Sequence, residues 1–409
     1  MAPIRLLHLA DIHIGMENYG RLDPATGLNS RVVDFLRRFD EAIDYALENE
    51  VDLVIFSGDA YKTRNPNSTY QREFAKRIKS LSDAGIPTVL LVGNHDLPSA
   101  ESQAESIDIF KTLEVPNVIV ARAEKLHRIE TKHGPVQVVA IPYPLRSRLL
   151  AHEEFRGKTI GEIDQAVEYM ITKNIQTLAE HLDQKIPAIL TAHLTVSEAE
   201  QGSETRVMLG RDVVILKSVL ANPAFDYVAL GHIHKHQDVN PGYHPPVVYS
   251  GSLERIDFGE EKEDKGFVVA EIERGRTSYK FIKVKARPFL TIRAEAKEPD
   301  PMEKILAQIA RRKAEVKDAV VRVQIQTTPE SEPLIDEKRI RAALKEAYFI
   351  ASINKKVESE SRQRLDLPPE ELTPRQALER YFKNKGLSQE RIKVLLEYAD
   401  EIFRKVDMI

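Results

Sequence analysis

Five short apolar runs in the chain have the composition of buried strands. They are rich in Leu, Ile and Val and lack the polar alternation of a half-exposed strand, which is typical of parallel strands covered on both faces. Amphipathic stretches lie between them, such as residues 73–85, whose apolar side chains recur with helical spacing. This alternation predicts βαβ units and a parallel sheet. The runs are RLLHLA at 5–10, DLVIF at 52–56, TVLLV at 88–92, AIL at 188–190 and YVAL at 227–230.

A short polar block follows each of these runs. Because the carboxyl ends of parallel strands meet along one edge of a sheet, we expect the polar side chains to converge in one cleft. Each block alone is common enough to occur by chance, but five in this order at strand ends are not. The blocks are Asp11-Ile12-His13, Gly58-Asp59, Gly93-Asn94-His95-Asp96, Ala192-His193 and Gly231-His232-Ile233-His234.

Two carboxylates, an amide and several imidazoles form a ligand set for a pair of divalent ions. Two ions roughly 3.5–4 Å apart can bind a phosphate and hold the attacking water between them. Asp59 is the candidate bridge, because a carboxylate offers one oxygen to each ion, and Asn94 offers a neutral carbonyl oxygen. With Asp11 and Asp59 as the anionic ligands, about two positive charges remain to attract a phosphodiester. The sequence therefore predicts a metal-dependent phosphoester hydrolase.

The order DxH, GD, GNHD, H and GHxH resembles the pattern of the calcineurin-like metallophosphoesterases. Within that superfamily the chain resembles the SbcD branch, the nuclease subunits of bacterial DNA double-strand-break repair complexes. The segments that carry this resemblance are RLLHLADIHIG, LVGNHD, YVALGHIHKHQ and VVYSGSLERIDFGE, and it covers about residues 4–285 well. It implies an α/β fold, a metallophosphoesterase two-sheet sandwich flanked by helices, with a small α+β capping domain and a C-terminal helical pair.

The resemblance also implies roles for the polar blocks. His95 matches a catalytic histidine that is not a ligand and assists the leaving oxygen, and Asp96 would orient its ring. Lys62 stands where many relatives carry Asp or His, a departure that leaves the ligands intact and concerns contacts with DNA. The mixed ligands suit Mn²⁺ best, with Fe, Zn or Mg as alternatives. The implied ligands are Asp11, His13, Asp59 and His234 for one ion, and Asp59, Asn94, His193 and His232 for the other.

The pattern changes beyond the last polar block. Short strands over 247–284 are predicted to complete a second sheet, and the charged loop 250–266 is expected to face DNA, a partner or solvent. After Arg287-Pro288, alternating segments predict a small βαβαβ unit: strand 289–296, helix 301–316, strand 319–328, helix 335–347 and strand 348–357. The predicted domains are a nuclease domain at 1–286, a capping domain at 287–359, a linker at 360–373 and a helical docking segment at 374–409.

The C-terminal helical segment carries an apolar stripe that two helices cannot bury alone. One alternative is that the stripe packs on the core of this chain. The other, which the resemblance implies, is that it docks on the coiled-coil base of an SbcC-type ABC/SMC-like ATPase. The stripe consists of Ile392, Leu395, Leu396, Ala399, Ile402, Phe403 and Val406.

Composition sets limits on these expectations. The 409 residues include no cysteine, which excludes disulfides and thiolate ligands, and the net charge of −4 does not indicate a nucleic-acid binder. DNA affinity must then come from local basic patches and from the metals. No apolar run reaches the length of a membrane span and no signal peptide is evident, so we expect a cytoplasmic protein. No GxxxxGK[ST] motif occurs, so ATP must be hydrolysed by a partner.

The resemblance, together with the polar blocks, implies a Mn²⁺-dependent DNA exonuclease and endonuclease that acts on double-strand ends and hairpins with an SbcC-type ATPase. The resemblance adds a homodimer and roles in DNA repair, recombination and replication. One alternative is a phosphatase or cyclic-nucleotide phosphodiesterase on the same scaffold. A different class is a non-catalytic adaptor for the ATPase, which is disfavoured because every expected ligand is present.

Overall fold

The structure is a computed structural model that describes residues 2–98, 104–146, 155, 157–202, 212–297, 299–358, 374–384 and 387–406. The chain divides into two compact units. The first comprises Met1–Ile292, Arg312–Arg322 and Leu344–Ser352, and the second comprises Arg293–Arg311, Val323–Ala343 and Ile353–Ile409. Among the described residues, no helix combines the length and the apolar character that crossing a membrane requires.

Over the described residues of both units, strands and helices alternate up to the fourth strand, as the sequence predicts, and several strands follow one another directly further along the chain. The strands are β1 (Ile4–Leu9), β2 (Leu53–Phe56), β3 (Thr88–Leu91), β4 (Val118–Ala121), β5 (Lys125–Thr131), β6 (Gly134–Ile141), β7 (Ala188–His193), β8 (Thr195–Val196), β9 (Val214–Ile215), β10 (Tyr227–Gly231), β11 (Gln237–Asp238), β12 (Val247–Tyr249), β13 (Gly266–Glu273), β14 (Arg276–Lys283), β15 (Phe289–Ala296), β16 (Val320–Thr327) and β17 (Phe349–Val357). The helices are α1 (Ser30–Glu48), α2 (Ser68–Asp83), α3 (Asp108–Thr112), α4 (Ile160–Glu180), α5 (Lys217–Leu220), α6 (Pro301–Arg311), α7 (Lys313–Val316), α8 (Glu337–Ala343), α9 (Pro374–Asn384) and α10 (Gln389–Val406).

Two six-stranded sheets form the first unit. One has the order β14-β13-β1-β2-β3-β4, and the other has the order β11-β12-β10-β7-β6-β5. Strands β1, β2, β3 and β4 run parallel to one another in the first sheet, as do β12, β10, β7 and β6 in the second. The five predicted strands are therefore all central parallel strands, three in the first sheet and two in the second.

The prediction that the strands over 247–284 complete the second sheet is correct for β12 but wrong for β13 and β14. Strand β13 pairs antiparallel with β1, and β14 pairs with β13, so both extend the first sheet. The reason lies in the two faces of β13, which are both apolar. Phe267 and Val269 join the core under the helices, while Val268 and Ala270 face the second sheet.

Apolar side chains pack in three layers that hold the sandwich together. Leu6, Ile55 and Val89 of the first sheet pack against Val138 and Ile189 of the second. The outer face of the first sheet packs on α1 and α2, and that of the second sheet packs on α4. The predicted two-sheet sandwich flanked by helices is confirmed. Helix α2 begins earlier than predicted, because the Asn67 side chain caps it by accepting from the Tyr70 amide at 3.0 Å.

A buried histidine links the two sheets near their carboxyl edges. His8 of β1 lies 3.1 Å from the Tyr227 hydroxyl through Nδ1 and 3.1 Å from the Leu230 carbonyl oxygen through Nε2. Burial lowers its pKa to about 3, so the ring is neutral at physiological pH. His8 therefore holds the end of β1 at a fixed position beside the end of β10, from which the His232 block departs.

The remaining segments follow the predicted βαβαβ order. Strands β15, β16 and β17 form a three-stranded sheet in that order. The helix predicted over 301–316 is broken at Arg312, whose guanidinium donates to the Thr291 carbonyl at 3.0 Å, and the helix predicted over 335–347 covers only Glu337–Ala343. The predicted domain boundaries stay a prediction, and the linker 360–373 lies outside the described residues.

Candidate metal centre

The five polar blocks converge at the carboxyl edges of the two sheets. His193 Nε2 and His232 Nδ1 lie 2.9 and 3.1 Å from the Asn94 carbonyl oxygen. His193 Nε2 is also 3.4 Å from Asp59 Oδ2, and His13 Nε2 is 3.8 Å from the same oxygen. Asp59 thus lies between two groups of imidazoles, which is the position that a bridging ligand requires. The structure brings all the predicted site residues together.

The ligand-bearing turns have unusual backbone conformations. Asp11, His13, Asp59 and His232 all have positive φ, at 53°, 50°, 61° and 96°. A residue other than glycine held in this region costs on the order of 1–3 kcal/mol, and it persists only where its surroundings fix it. Here the Asp11 amide donates to the Gly58 carbonyl at 3.0 Å, and the His13 amide donates to the Asp59 carbonyl at 3.1 Å. The two loops hold each other in the strained form.

Two glycines allow the blocks to approach closely. A Cβ atom at Gly93 would lie 2.2 Å from Asp59 Oδ1, and one at Gly58 would lie 2.3 Å from His193 Nδ1. Both distances are far inside van der Waals contact. The glycines of the GD and GNHD blocks are therefore required by the packing of the candidate ligands themselves.

The first candidate position comprises Asp11, His13, His234 and Asp59. His13 Nε2 and His234 Nε2 face each other at 3.0 Å, and His13 Nε2 is 4.0 Å from Asp11 Oδ1. Two imidazole nitrogens bound at right angles to one ion, each at about 2.0–2.1 Å, would lie about 3.0 Å apart. The pair therefore already has the spacing of adjacent ligands, and the donor set fits a divalent ion.

A buried ion pair that the sequence analysis missed lies behind His234. His234 Nδ1 is 2.8 Å from Glu260 Oε1, and Glu260 Oε2 is 2.9 Å from the Lys265 ammonium. Burial alone would raise the pKa of Glu260, but the charges of Lys265 and His234 outweigh it and hold the pKa well below its usual range. Glu260 thus accepts a hydrogen bond from His234 Nδ1–H, which leaves Nε2 as the nitrogen that faces the centre.

The location of Glu260 corrects the expectation for the charged loop 250–266. The side chains of Glu254, Glu260 and Lys265 are fully buried rather than directed at DNA, a partner or solvent. The Arg255 guanidinium holds the loop in place by donating to the carbonyls of Glu260 at 3.2 Å and Glu263 at 2.6 Å. The high charge of this loop therefore reflects internal pairing behind a metal ligand.

The second candidate position comprises Asn94, His193, His232 and Asp59. His193 donates its Nδ1 proton to the Ser57 carbonyl at 2.6 Å, which directs Nε2 into the centre. His232 Nε2 lies 2.7 Å from Asp212 Oδ2, which leaves Nδ1 as the nitrogen beside Asn94. In both rings, the nitrogen that faces away from the centre makes a hydrogen bond that fixes the orientation of the ring, as is usual for histidines that bind metals.

Asp212 is the second residue that the sequence analysis missed. Its carboxylate accepts hydrogen bonds from His232, from the Tyr143 hydroxyl at 3.0 Å and from the Thr195 hydroxyl. Burial would raise the pKa of Asp212, but the contact with His232 outweighs it and lowers the pKa to about 2. Asp212 does not follow one of the five apolar runs, so the strand-end pattern gave no reason to select it.

His95 and Asp96 lie in the centre but not in the predicted relation. The His95 ring donates its Nδ1 proton to the Lys62 carbonyl at 2.8 Å, and the His95 amide donates to Asp59 Oδ1 at 2.9 Å. The Asp96 carboxylate instead accepts from the backbone amides of Asp59 at 2.8 Å, Gly93 at 3.1 Å and Ala60 at 3.1 Å. Asp96 therefore fixes the loop that carries Asp59, and the Lys62 carbonyl orients His95.

The charge of the centre favours occupation by cations. Asp11 and Asp59 are buried. Three groups of side chains each bring their carboxylate and imidazole atoms within 4.8 Å of one another: Asp11, His13 and His234; His13, Asp59 and His95; and Asp11, Asp59 and His193. Burial raises the pKa of Asp11, which expresses the cost of keeping this carboxylate charged in an apolar surrounding. A bound cation removes that cost, and mixed nitrogen and oxygen donors suit Mn, Fe, Zn or Mg.

Comparison with known proteins agrees with this centre. A family model described as calcineurin-like phosphoesterase matches residues 4–236, which include every candidate ligand. The chain belongs to this family. The family match explains why the ligands occur as blocks at the ends of parallel strands, since each block of this calcineurin-like phosphoesterase ends a strand or follows one directly.

Two relatives resemble this calcineurin-like phosphoesterase over about two thirds of its length. The SbcD subunit of the nuclease SbcCD from Bacillus subtilis (strain 168) is 28% identical over 283 residues, which cover 66% of this chain and 67% of the relative. The corresponding SbcCD nuclease subunit from Escherichia coli (strain K12) is 27% identical over 282 residues, which cover 67% of this chain and 66% of the relative. The chain spans about two thirds of the length of these relatives.

The solved structures add little beyond the family. A dimetal phosphatase from Danio rerio aligns with 69% of this chain and 97% of its own length, at 10% identity and a TM-score of 0.39. A likeness at that level carries no argument about the chemistry of this chain.

The position of Asp212 generates a first prediction. Asp212→Asn removes the negative charge behind His232 while keeping the shape of the side chain, so we expect Mn²⁺ affinity to fall about 10- to 100-fold. Isothermal titration with Mn²⁺ measures this loss. Glu198→Gln is the matched control, because Glu198 is exposed and pairs with Lys217 away from the candidate ligands. Unchanged affinity in Asp212→Asn would show that Asp212 does not support a ligand.

Proposed function

We propose that this chain is a Mn²⁺-dependent phosphodiesterase that cuts DNA at double-strand ends and hairpins. The observation that carries the proposal is the convergence of the candidate ligands and His95 in one largely buried centre. The names of the two relatives, which describe nuclease subunits, support a nucleic acid as the substrate. The sequence resemblance to the SbcD branch supports DNA in particular. The identity of the metal rests on ligand type alone, because imidazole, carboxylate and amide oxygen together suit Mn²⁺.

The chemistry follows from the donor set. Two bound divalent ions would supply an activated water and neutralise charge on the phosphate oxygens. Asp59 would bridge the two positions, and Asp11 and Asp59 would leave about two positive charges for a phosphodiester. The remaining ligands of the first position would be His13 and His234, and those of the second would be Asn94, His193 and His232.

His95 is the proposed proton donor. Because its Nδ1 proton is held by the Lys62 carbonyl at 2.8 Å, its Nε2 is the nitrogen that can serve a substrate. His95 also lies beside the first position, with its ring centroid 4.9 Å from that of His13. We propose that Nε2 donates a proton to the departing 3′-oxygen, so that the leaving strand lies on the His95 side.

A direct test uses a labelled DNA hairpin. The purified chain with Mn²⁺ is expected to cut the hairpin and to stop cutting when EDTA is added. A generic phosphomonoester is assayed in parallel. Turnover of the phosphomonoester without cleavage of DNA would contradict the proposal and favour a phosphatase. The absence of both activities in a chain that binds metal would favour a non-catalytic adaptor for an ATPase.

His95→Ala separates catalysis from metal binding. We expect this variant to retain both metal ions and to lose about 10²–10⁴-fold in kcat on the hairpin, because only the proton donor is removed. Plasma mass spectrometry measures the metal content. His181→Ala is the control, since His181 lies at the exposed end of α4 and contacts the Thr177 carbonyl. Normal turnover in His95→Ala would refute the assignment.

We further propose that α9 and α10 dock on an SbcC-type ATPase, as the sequence resemblance implies. Within the second unit the two helices form a pair, with the Arg375 guanidinium 3.5 Å from Asp400. Ile392 and Leu396 of the predicted stripe are buried, but Ile402 is 60% exposed. An apolar row with helical spacing therefore remains open on α10. It consists of Val394, Tyr398 and Ile402.

Charged substitutions in this row test the docking. Tyr398→Glu combined with Ile402→Glu is expected to abolish capture of the purified ATPase subunit, because two carboxylates would be desolvated at the interface. Metal-dependent cleavage of a small phosphodiester should be unchanged. Lys393→Glu, an exposed change on the same helix, is the control. Full capture by the double variant would refute docking through this row.

A location in the cytoplasm stays a proposal. We also propose the homodimer that the resemblance implies. On α3 and the residue after it, Ile109 is 51% exposed and Leu113 is 67% exposed, at the spacing of one helical turn. This pair is available for a contact between two copies. Sedimentation velocity decides the point, since a monomer at micromolar concentration would contradict a stable dimer.

A further inference from the structure

We propose that the loop at residues 61–67 is a binding site for a second phosphate of a polynucleotide, with Lys62 as its main cation. This phosphate is the one next to the cleaved diester on the side of the leaving oxygen. The inference rests on the proposed function and deepens it, because it names a recognition element for nucleic acid in addition to the metals.

The backbone of Lys62 is fixed to two parts of the centre. Its amide donates to the Ile14 carbonyl at 3.0 Å, directly after the DxH block, and its carbonyl accepts the Nδ1 proton of His95 at 2.8 Å. Tyr61 pairs with Ile14 in a parallel bridge. Lys62 therefore keeps a constant position relative to His95, and its four-carbon side chain starts on the side of the centre that His95 occupies.

The ammonium of Lys62 has no hydrogen bond or ion pair with any residue that the structure describes. Other cations around the centre are paired: Lys235 with Glu200, Arg146 with Asp164 and Lys265 with Glu260. A Cβ atom at Gly15 would lie 3.9 Å from the Lys62 Cβ and 3.0 Å from the Tyr70 ring, and the Tyr70 hydroxyl donates to the Glu17 carboxylate. Lys62 thus carries a charge without a partner among the described residues, and its own carbonyl holds the ring of the proposed proton donor.

The loop extends this positive character away from the metals. Arg64 is exposed and also lacks a partner among the described residues, and the loop then enters α2 at Ser68. A lysine ammonium is a compact donor that binds phosphate as a point charge. Because His95 faces the leaving oxygen, a phosphate reaching Lys62 belongs to the leaving strand. An isolated diester has no such phosphate and cannot use the site.

Lys62→Gln tests the site by separating two substrates. For a fluorescent single-stranded oligonucleotide, we expect the Kd measured by anisotropy to depend less steeply on salt, with the slope of log Kd against log salt reduced by about one. Turnover of bis(p-nitrophenyl) phosphate with Mn²⁺ should stay within about twofold, because this diester carries no second phosphate. Lys62→Arg should restore the slope. Lys79→Gln is the control, since Lys79 is exposed and pairs with Asp83.

Two results would overturn the inference. One is an unchanged slope in Lys62→Gln, and the other is an equal loss of bis(p-nitrophenyl) phosphate turnover, which would place Lys62 in the chemistry rather than in recognition. The experiment also separates this inference from the proposed function. If the wild-type chain cuts no diester, the proposed function fails, while the binding slopes of the wild-type chain and Lys62→Gln still decide whether Lys62 contacts a phosphate.

Discussion

The first unit is organised around two buried carboxylates, Asp11 and Asp59, that need a cation. Charged groups of this kind are costly in an apolar interior unless an opposite charge accompanies them. The fold places each at the end of a parallel strand, in a left-handed backbone conformation that the two loops maintain for each other. Both the burial of the two charges and the strained backbone destabilise the fold when no cation is bound. A bound cation offsets this cost, so the residues that destabilise the empty centre are the ones that bind the metal.

Three further carboxylates hold the centre without entering it. The Asp96 carboxylate accepts hydrogen bonds from backbone amides of the loop that carries Asp59. Asp212 accepts a hydrogen bond from the His232 ring, and Glu260 accepts one from the His234 ring. They come from separate parts of the chain and act on different ligands. The orientation of each ring is therefore set by contacts that the strand ends do not provide. Partners of this kind, which bind the ligands rather than the metal, typically contribute about 10- to 100-fold to metal affinity.

The strand-end blocks could be recognised in the sequence because parallel strands bring their carboxyl ends to one edge whatever the loop lengths. Asp212 and Glu260 could not, because neither follows a predicted strand and a charged loop such as 250–266 normally faces solvent. The sheet to which β13 belongs was also beyond prediction. The apolar residues on both faces of β13 fit a central position in either sheet. The assignment depends on the edge of β1, with which β13 pairs, and the sequence does not reveal that this edge is open.

The most direct test of this account is the number of metal ions that the chain binds. Equilibrium dialysis against saturating Mn²⁺, followed by plasma mass spectrometry, should give two ions per wild-type chain. Asp59→Ala should retain fewer than one, because Asp59 lies between both positions. Circular dichroism establishes that the variant is folded. One ion or none in the wild-type chain, or two ions in folded Asp59→Ala, would contradict a shared centre bridged by Asp59.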